Sequence, residues 1–154
     1  MLTDGFNHVA LLTKDMERLH RFYEQVFDAT HQHVQGGPVG PFWMTVIDVG
    51  PGRELNVFQI ADNAESDRQV PMFGRGRIDH LALQAASFEA FQEIRTRLIA
   101  CGAADDFVTD FGQALSLFFR DPDGLECEVC VANPEARPGV FNPPGTRSAL
   151  FPAS

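Results

Sequence analysis

The chain has 154 residues, 44% of them apolar and 21% charged, the balance of a single globular domain rather than of a disordered chain. No apolar run approaches the ~20 residues needed to span a bilayer, and Met1 to Asp4 hold no basic stretch leading into an apolar one, so a cytoplasmic chain with no membrane partner is expected. Twelve basic against 21 acidic residues give a net charge of -9, the wrong sign for a phosphate backbone, which argues against nucleic acid as a partner.

In chain order, residues 5 to 13 alternate as a strand. Residues 15 to 28 then place Met16, Leu19, Phe22, Tyr23, Val26 and Phe27 at helical spacing behind Asp15, a good N-cap. Three shorter strands are expected at 29 to 35, 42 to 49 and 53 to 60. A linker rich in charge, Gly and Pro runs from Ala61 to Arg75. The order then repeats: a strand at 77 to 85, a helix at 87 to 101 opened by Ser87, and strands at 103 to 110, 113 to 120 and 125 to 131. Asp121-Pro-Asp-Gly124 has the residues of a tight turn before the last strand. The tail, 133 to 154, carries five of the ten prolines and has no periodicity; it suits a lid, an interface strap or a disordered end equally.

The repetition is one of sequence as well as of order. Phe6-Asn-His-Val-Ala-Leu11 returns as Ile78-Asp-His-Leu-Ala-Leu83, and the same offset of 72 residues maps Asp15 on Ser87 and Gly52-Arg-Glu-Leu-Asn-Val57 on Gly124-Leu-Glu-Cys-Glu-Val129. The expected fold is therefore α+β: two tandem βαβββ modules, 5 to 60 and 77 to 132, within one domain spanning 1 to 132. A curved mixed sheet would enclose a cleft, with the helices on its outer face.

Strand alternation turns the repeat into a site. In the last strand Leu125, Cys127, Val129 and Val131 form an apolar face toward the helix, leaving Glu126, Glu128 and Cys130 toward the cleft. His8 and His80 are repeat-equivalent polar residues among inward-phase neighbours Phe6, Ala10, Ile78 and Ala82. Two histidines and a carboxylate converging in a low-dielectric cleft are costly unless paired or bound to metal, so His8, His80 and Glu128 are candidate ligands of one divalent ion. Asn56, the repeat equivalent of Glu128, is the fourth corner: a weak ligand, a water-mediated neighbour or plain strand polarity. Glu54 and Glu126, two residues away on the same strand faces, are rim charges that could also serve as a base. His31 and His33 share a strand face, but their repeat counterparts Ala103 and Asp105 lend a metal site no support, so they are read as solvated or substrate-contacting. Phe42, Trp43, Met44, Phe58 and Phe118 are expected mainly in the core. Cys127 and Cys130 are three apart on a strand and point to opposite faces, so this C-x-x-C is not a zinc clamp or a redox pair.

On Asp79-His-Leu-Ala-Leu83 and Phe118-Phe-Arg-Asp-Pro-Asp-Gly-Leu-Glu-Cys-Glu128, within a stretch from 5 to 132, the chain resembles the vicinal oxygen chelate superfamily. That group includes glyoxalase I, fosfomycin-modifying enzymes, methylmalonyl-CoA epimerase, extradiol dioxygenases and bleomycin-resistance proteins. The resemblance implies paired βαβββ units around one divalent ion (Fe, Mn, Ni, Zn or Co), a small-molecule substrate, and a homodimer whose modules pair within a chain or are exchanged between chains. It also implies that Glu128, as the carboxylate at the metal, has a catalytic part. Asn56 departs from the pattern, standing where glyoxalase-like members carry Glu. Two imidazoles and one carboxylate leave the ion more Lewis acidic and resemble the triad of non-haem iron oxygenases. Both lyase or isomerase chemistry and extradiol-type dioxygenation are then open, and a binding protein of the bleomycin-resistance type is the alternative.

Overall fold

The computed structural model describes residues 2–3, 5–33 and 42–153, with His33 and Phe42 described by backbone alone. The chain divides into two compact units, Met1–Gln69 and Val70–Ser154. The division cuts the linker, giving its first part, including a 3₁₀ turn at Ala64–Asp67, to the first unit and the rest to the second.

The first unit runs β1 (His8–Thr13), α1 (Met16–Phe27), β2 (Thr30–His33), β3 (Phe42–Gly50) and β4 (Arg53–Ile60). Its sheet has the order β1-β4-β3-β2, with β1 parallel to β4 and the other pairs antiparallel. The second unit repeats this as β5 (Leu81–Gln84), α2 (Phe88–Ala100), β6 (Val108–Asp110), β7 (Ala114–Arg120) and β8 (Glu126–Ala132), in the order β5-β8-β7-β6 with β5 parallel to β8. Two tandem βαβββ modules are thus what the sequence encodes. The first strand of each is shorter than its alternating pattern, and β6 is three residues rather than eight, because ladder bonds form only where a neighbouring strand is in reach. Residues 34 and 35, expected in the second strand, lie outside the described residues.

Each helix opens on its expected cap. Asp15 Oδ1 accepts from the Arg18 amide at 2.9 Å, and Ser87 Oγ from the Ala90 amide at 3.1 Å. One apolar face of each helix closes on its sheet. In the first unit Leu19, Tyr23, Ile47, Leu55 and Val57 are fully buried, and in the second Phe91, Leu98, Leu115, Leu117 and Val129 are. Each such side chain contributes about 1.5–3 kcal/mol of transfer free energy. Alternation then obliges Glu54, Asn56 and Phe58 in β4, and Glu126, Glu128 and Cys130 in β8, to take the opposite, open face of their sheets. Gly52 and Gly124 both have positive φ, 64° and 85°, in the turns that launch these strands.

Trp43 departs from the expected core, being 58% exposed. It stands in the helix-side phase of β3 but near the strand's start, short of the helix-covered Thr45 and Ile47. His31 is not a solvated residue either: its ring stacks on the buried His20 at 4.1 Å, and its Nδ1 pairs with Glu24 Oε1 at 2.5 Å. The His33 side chain lies outside the described residues.

The tail packs on its own module. The Asp110 amide donates to Thr146 O, the Ser148 amide to Val108 O and the Asn142 amide to Phe111 O. Phe151 is 6% exposed, its ring against Phe88 and Phe91 with the Arg95 guanidinium 5.1 Å from its centroid. A Cβ at Gly112 would stand 2.3 Å from Val140 O, so glycine is required for the tail to pass there.

Candidate metal centre

In the second unit the ladder sets Glu128 opposite Ala82 of β5 and Phe118 of β7. His80 immediately precedes β5 in the same phase as Ala82, so it shares the open face with Glu128. Its Nε2 lies 3.1 Å from Glu128 Oε2, and its Nδ1 lies 2.7 Å from Asp79 Oδ2. A carboxylate only accepts, so Nδ1 carries a proton toward Asp79. Ser116 Oγ donates to the other Glu128 oxygen, Oε1, and Phe118 meets the His80 ring edge-on at 6.2 Å. Glu128 is buried, at 8% exposure, with its Oε1 fixed and its Oε2 turned to the imidazole. Cys130 neighbours this group; burial, with the Glu128 charge beside it, pushes its thiol up to about 12.

The first unit carries the equivalent pieces. His8 Nδ1 is 2.8 Å from Asn7 Oδ1, so Asn7 stands to His8 as Asp79 stands to His80. Asn56 lies between Ala10 of β1 and Val46 of β3, and its Oδ1 is buried without a hydrogen-bond partner among the described residues. An amide oxygen left so is costly unless something outside the described protein atoms meets it. His8 itself is exposed, and so are its phase-mates Phe6, at 82%, and Ile78 of the second unit, at 88%. These two are not the buried neighbours that alternation suggested: they lie ahead of edge strands, on the face their own helix does not cover.

Glu126 is committed to an ion cluster. Arg120 Nη2 donates to its Oε1 at 2.7 Å; the Met72 amide and Arg75 Nη2 donate to its Oε2 at 2.8 and 3.1 Å. The Arg120 hydrogen bond, aided by the Met72 amide and both guanidinium charges, holds its carboxyl below the usual glutamate range. Glu54, its repeat equivalent, faces His8 on β1 and Asp48 on β3.

His80 and Glu128 are thus brought together within one unit, His8 and Asn56 belong to the other, and Glu126 is drawn into a clamp. Among the described residues no group of three or more His, Cys, Asp or Glu side chains is gathered as for a metal ion. The donors nevertheless suit one. The 3.1 Å between Nε2 and Oε2 is close to the edge of about 3.0–3.4 Å between neighbouring ligands on a divalent ion with bonds near 2.1 Å. The orphaned Asn56 Oδ1 is a further oxygen awaiting a partner. Sequence reasoning missed Asn7, Asp79, Ser116 and Arg75, although a polar acceptor directly before each histidine, at the repeat offset, was a legible sign of the first two.

A duplicated βαβββ fold with a histidine before or at each first strand and a carboxylate on the last defines a vicinal-oxygen-chelate class of domain. The chain belongs to the Glyoxalase/Bleomycin resistance protein/Dioxygenase superfamily, whose family model matches residues 5–129. Among solved structures, a glyoxylase/bleomycin resistance protein/dioxygenase domain from Frankia sp. EAN1pec is similar at 21% identity and a TM-score of 0.68, over 86% of this chain and 95% of that one. A variant of the fosfomycin resistance protein FosX from Listeria monocytogenes, complexed with Mn(II) and 1S,2S-dihydroxypropylphosphonic acid, is similar at 20% identity and a TM-score of 0.65, over 87% and 96%. FosX from Mesorhizobium loti follows at 17% and 0.56, over 86% and 95%. No curated protein matches the chain.

Proposed function

We propose that the protein is a divalent-metal-dependent enzyme acting on a small organic substrate with two neighbouring oxygens. The observation that carries this is the approach of His80 Nε2 to Glu128 Oε2 at 3.1 Å, with Nδ1 and Oε1 already committed to Asp79 and Ser116. Such an arrangement turns one nitrogen and one oxygen toward each other, where a divalent cation can take the place of the proton they share. On this reading His8 and, more weakly, Asn56 Oδ1, the repeat equivalents of His80 and Glu128, are the further ligands, and the modules that share an ion belong to one chain or to two in a homodimer. When bound, the ion supplies Lewis acidity toward an enolate, alkoxide or catecholate oxygen.

The chain's own residues set the rest. Phe118 beside His80, and Ala10, Val46 and Phe58 around Asn56, give the site apolar neighbours for the carbon skeleton of a small substrate. Glu54 is the base of choice, because both Glu126 oxygens are taken up by guanidinium and amide donors while Glu54 lies beside His8. The small organic vicinal diol bound with Mn(II) in the FosX variant is consistent with this substrate class.

Metal content tests the reading. Purified protein loaded with Mn(II), Fe(II), Ni(II) or Zn(II) and desalted should retain about one ion per chain, and His8→Ala, His80→Ala and Glu128→Ala should retain little. Equal, negligible retention by all four proteins would overturn it in favour of metal-free sequestration. Oxygen uptake by the Fe(II)-loaded protein with catechols separates ring-cleaving dioxygenation from lyase or isomerase chemistry.

A further inference from the structure

The segment between the modules makes contacts that a spacer has no need of. Arg75, only 11% exposed at its side chain, donates from Nη1 to the main-chain oxygens of Asp79 at 3.0 Å and Glu126 at 2.9 Å. Its Nη2 reaches Glu126 Oε2 at 3.1 Å, and its Nε donates to Val70 O. One guanidinium therefore joins the residue before His80 to the residue two before Glu128. The Phe73 amide donates to Asp79 Oδ1, leaving Oδ2 for His80 Nδ1 at 2.7 Å.

We propose that residues 72–79 form a positioning clasp for the metal centre, in which Asp79 fixes the ring nitrogen that His80 turns to Glu128 and Arg75 fixes the spacing of the two strands carrying them. The inference rests on the metal reading above. A ligand histidine whose other nitrogen is held by a carboxylate has a set orientation and a more basic donor, and losing that outer partner weakens metal binding by about 10–100-fold. The first module offers an internal control: His8 has the same geometry with the neutral amide of Asn7, at 2.8 Å, in place of the carboxylate.

The test uses the full chain, Mn(II) as probe and two readouts. By calorimetric titration, Asp79→Ala should weaken Mn(II) binding by about 10–100-fold and Asp79→Asn, which keeps an acceptor, by less. Arg75→Met should weaken it while Arg75→Lys restores part. This graded order within each pair, at unchanged far-UV circular dichroism, is not what a loosened fold produces. In metal-free, ¹⁵N-labelled protein, the His80 ring-nitrogen shifts should move in Asp79→Asn toward those of His8, and further in Asp79→Ala. Wild-type affinity in Asp79→Ala, or His80 shifts indifferent to both Asp79 substitutions, would overturn the clasp. Should wild-type protein bind no Mn(II), the metal reading fails, and the metal-free shifts alone decide whether Asp79 sets the His80 ring. If Asp79→Ala does not fold, Asp79→Asn decides by the same shifts.

Discussion

Replacing Glu128 by Gln separates what the carboxylate does for the fold from what it does for the site. Gln preserves the volume at this 8%-exposed position and keeps an oxygen for Ser116, so only the charge facing His80 Nε2 is lost. In metal-free protein the change should cost no more than about 1 kcal/mol, the net worth of one hydrogen bond. With metal the outcome differs in kind. At a concentration a hundredfold above Kd, binding to the folded state stabilises the wild type by about 2.7 kcal/mol, which raises Tm by roughly 5–10 °C in a chain of this size. Losing an anionic ligand weakens binding by at least about 100-fold, leaving under about 0.5 kcal/mol and a rise of ~1–2 °C at the same concentration. Differential scanning fluorimetry with and without Mn(II) or Zn(II) reads both effects. A wild-type-sized rise in Glu128→Gln would refute the assignment of Glu128 as a ligand.

Four further outcomes follow from the described contacts. Phe151→Ala removes a buried ring from between Phe88, Phe91 and Arg95 and should destabilise by about 3–5 kcal/mol in urea unfolding; a change near zero would mean the tail is not anchored there. Arg120 is 67% exposed and Arg75 shares its partner, so Arg120→Ala should cost less than about 1 kcal/mol in the same assay. The folded-state pKa of Glu126 is depressed, so its contribution is full above the unfolded value of about 4.3 and is lost as pH falls through the folded value; Glu126→Gln should flatten the acid limb of Tm against pH. Burial raises the pKa of both the Cys127 and Cys130 thiols while Cys101 is exposed, so Ellman's reagent should titrate one thiol quickly in native protein and three after denaturation.

The modules were legible because each rule acted twice. Two histidines at one offset, two N-caps and two turn glycines with positive φ made the βαβββ unit readable where a single copy would have left helix and strand boundaries loose. His80 and Glu128 came from the same source: alternation about the buried Cys127 and Val129 forced Glu128 to the open face. What escaped the sequence was nonlocal. Nothing in the spacing of Arg75 and Glu126, 51 residues apart, announces that they meet, so Glu126 read as a rim charge and the segment around Arg75 as a tether. Trp43 is apolar without being deep, because its place along β3 and not its side chain decides its exposure. The tail had no periodicity to read, since its anchor is one aromatic ring and a few main-chain bonds rather than an element of its own.

The two modules differ in one respect that bears on how they can combine. Beside its histidine and on its last strand, the first carries amides, Asn7 and Asn56; at the same two places the second carries carboxylates, Asp79 and Glu128. As sets of donors the two modules are therefore unlike, as a plug is unlike its socket. At these places one of each supplies two imidazoles and one carboxylate, two of the second would supply two imidazoles and two carboxylates, and two of the first would supply amides in place of both carboxylates. On the metal reading proposed above, a protein carrying two second modules should therefore hold a divalent ion more tightly than this chain, and one carrying two first modules less tightly.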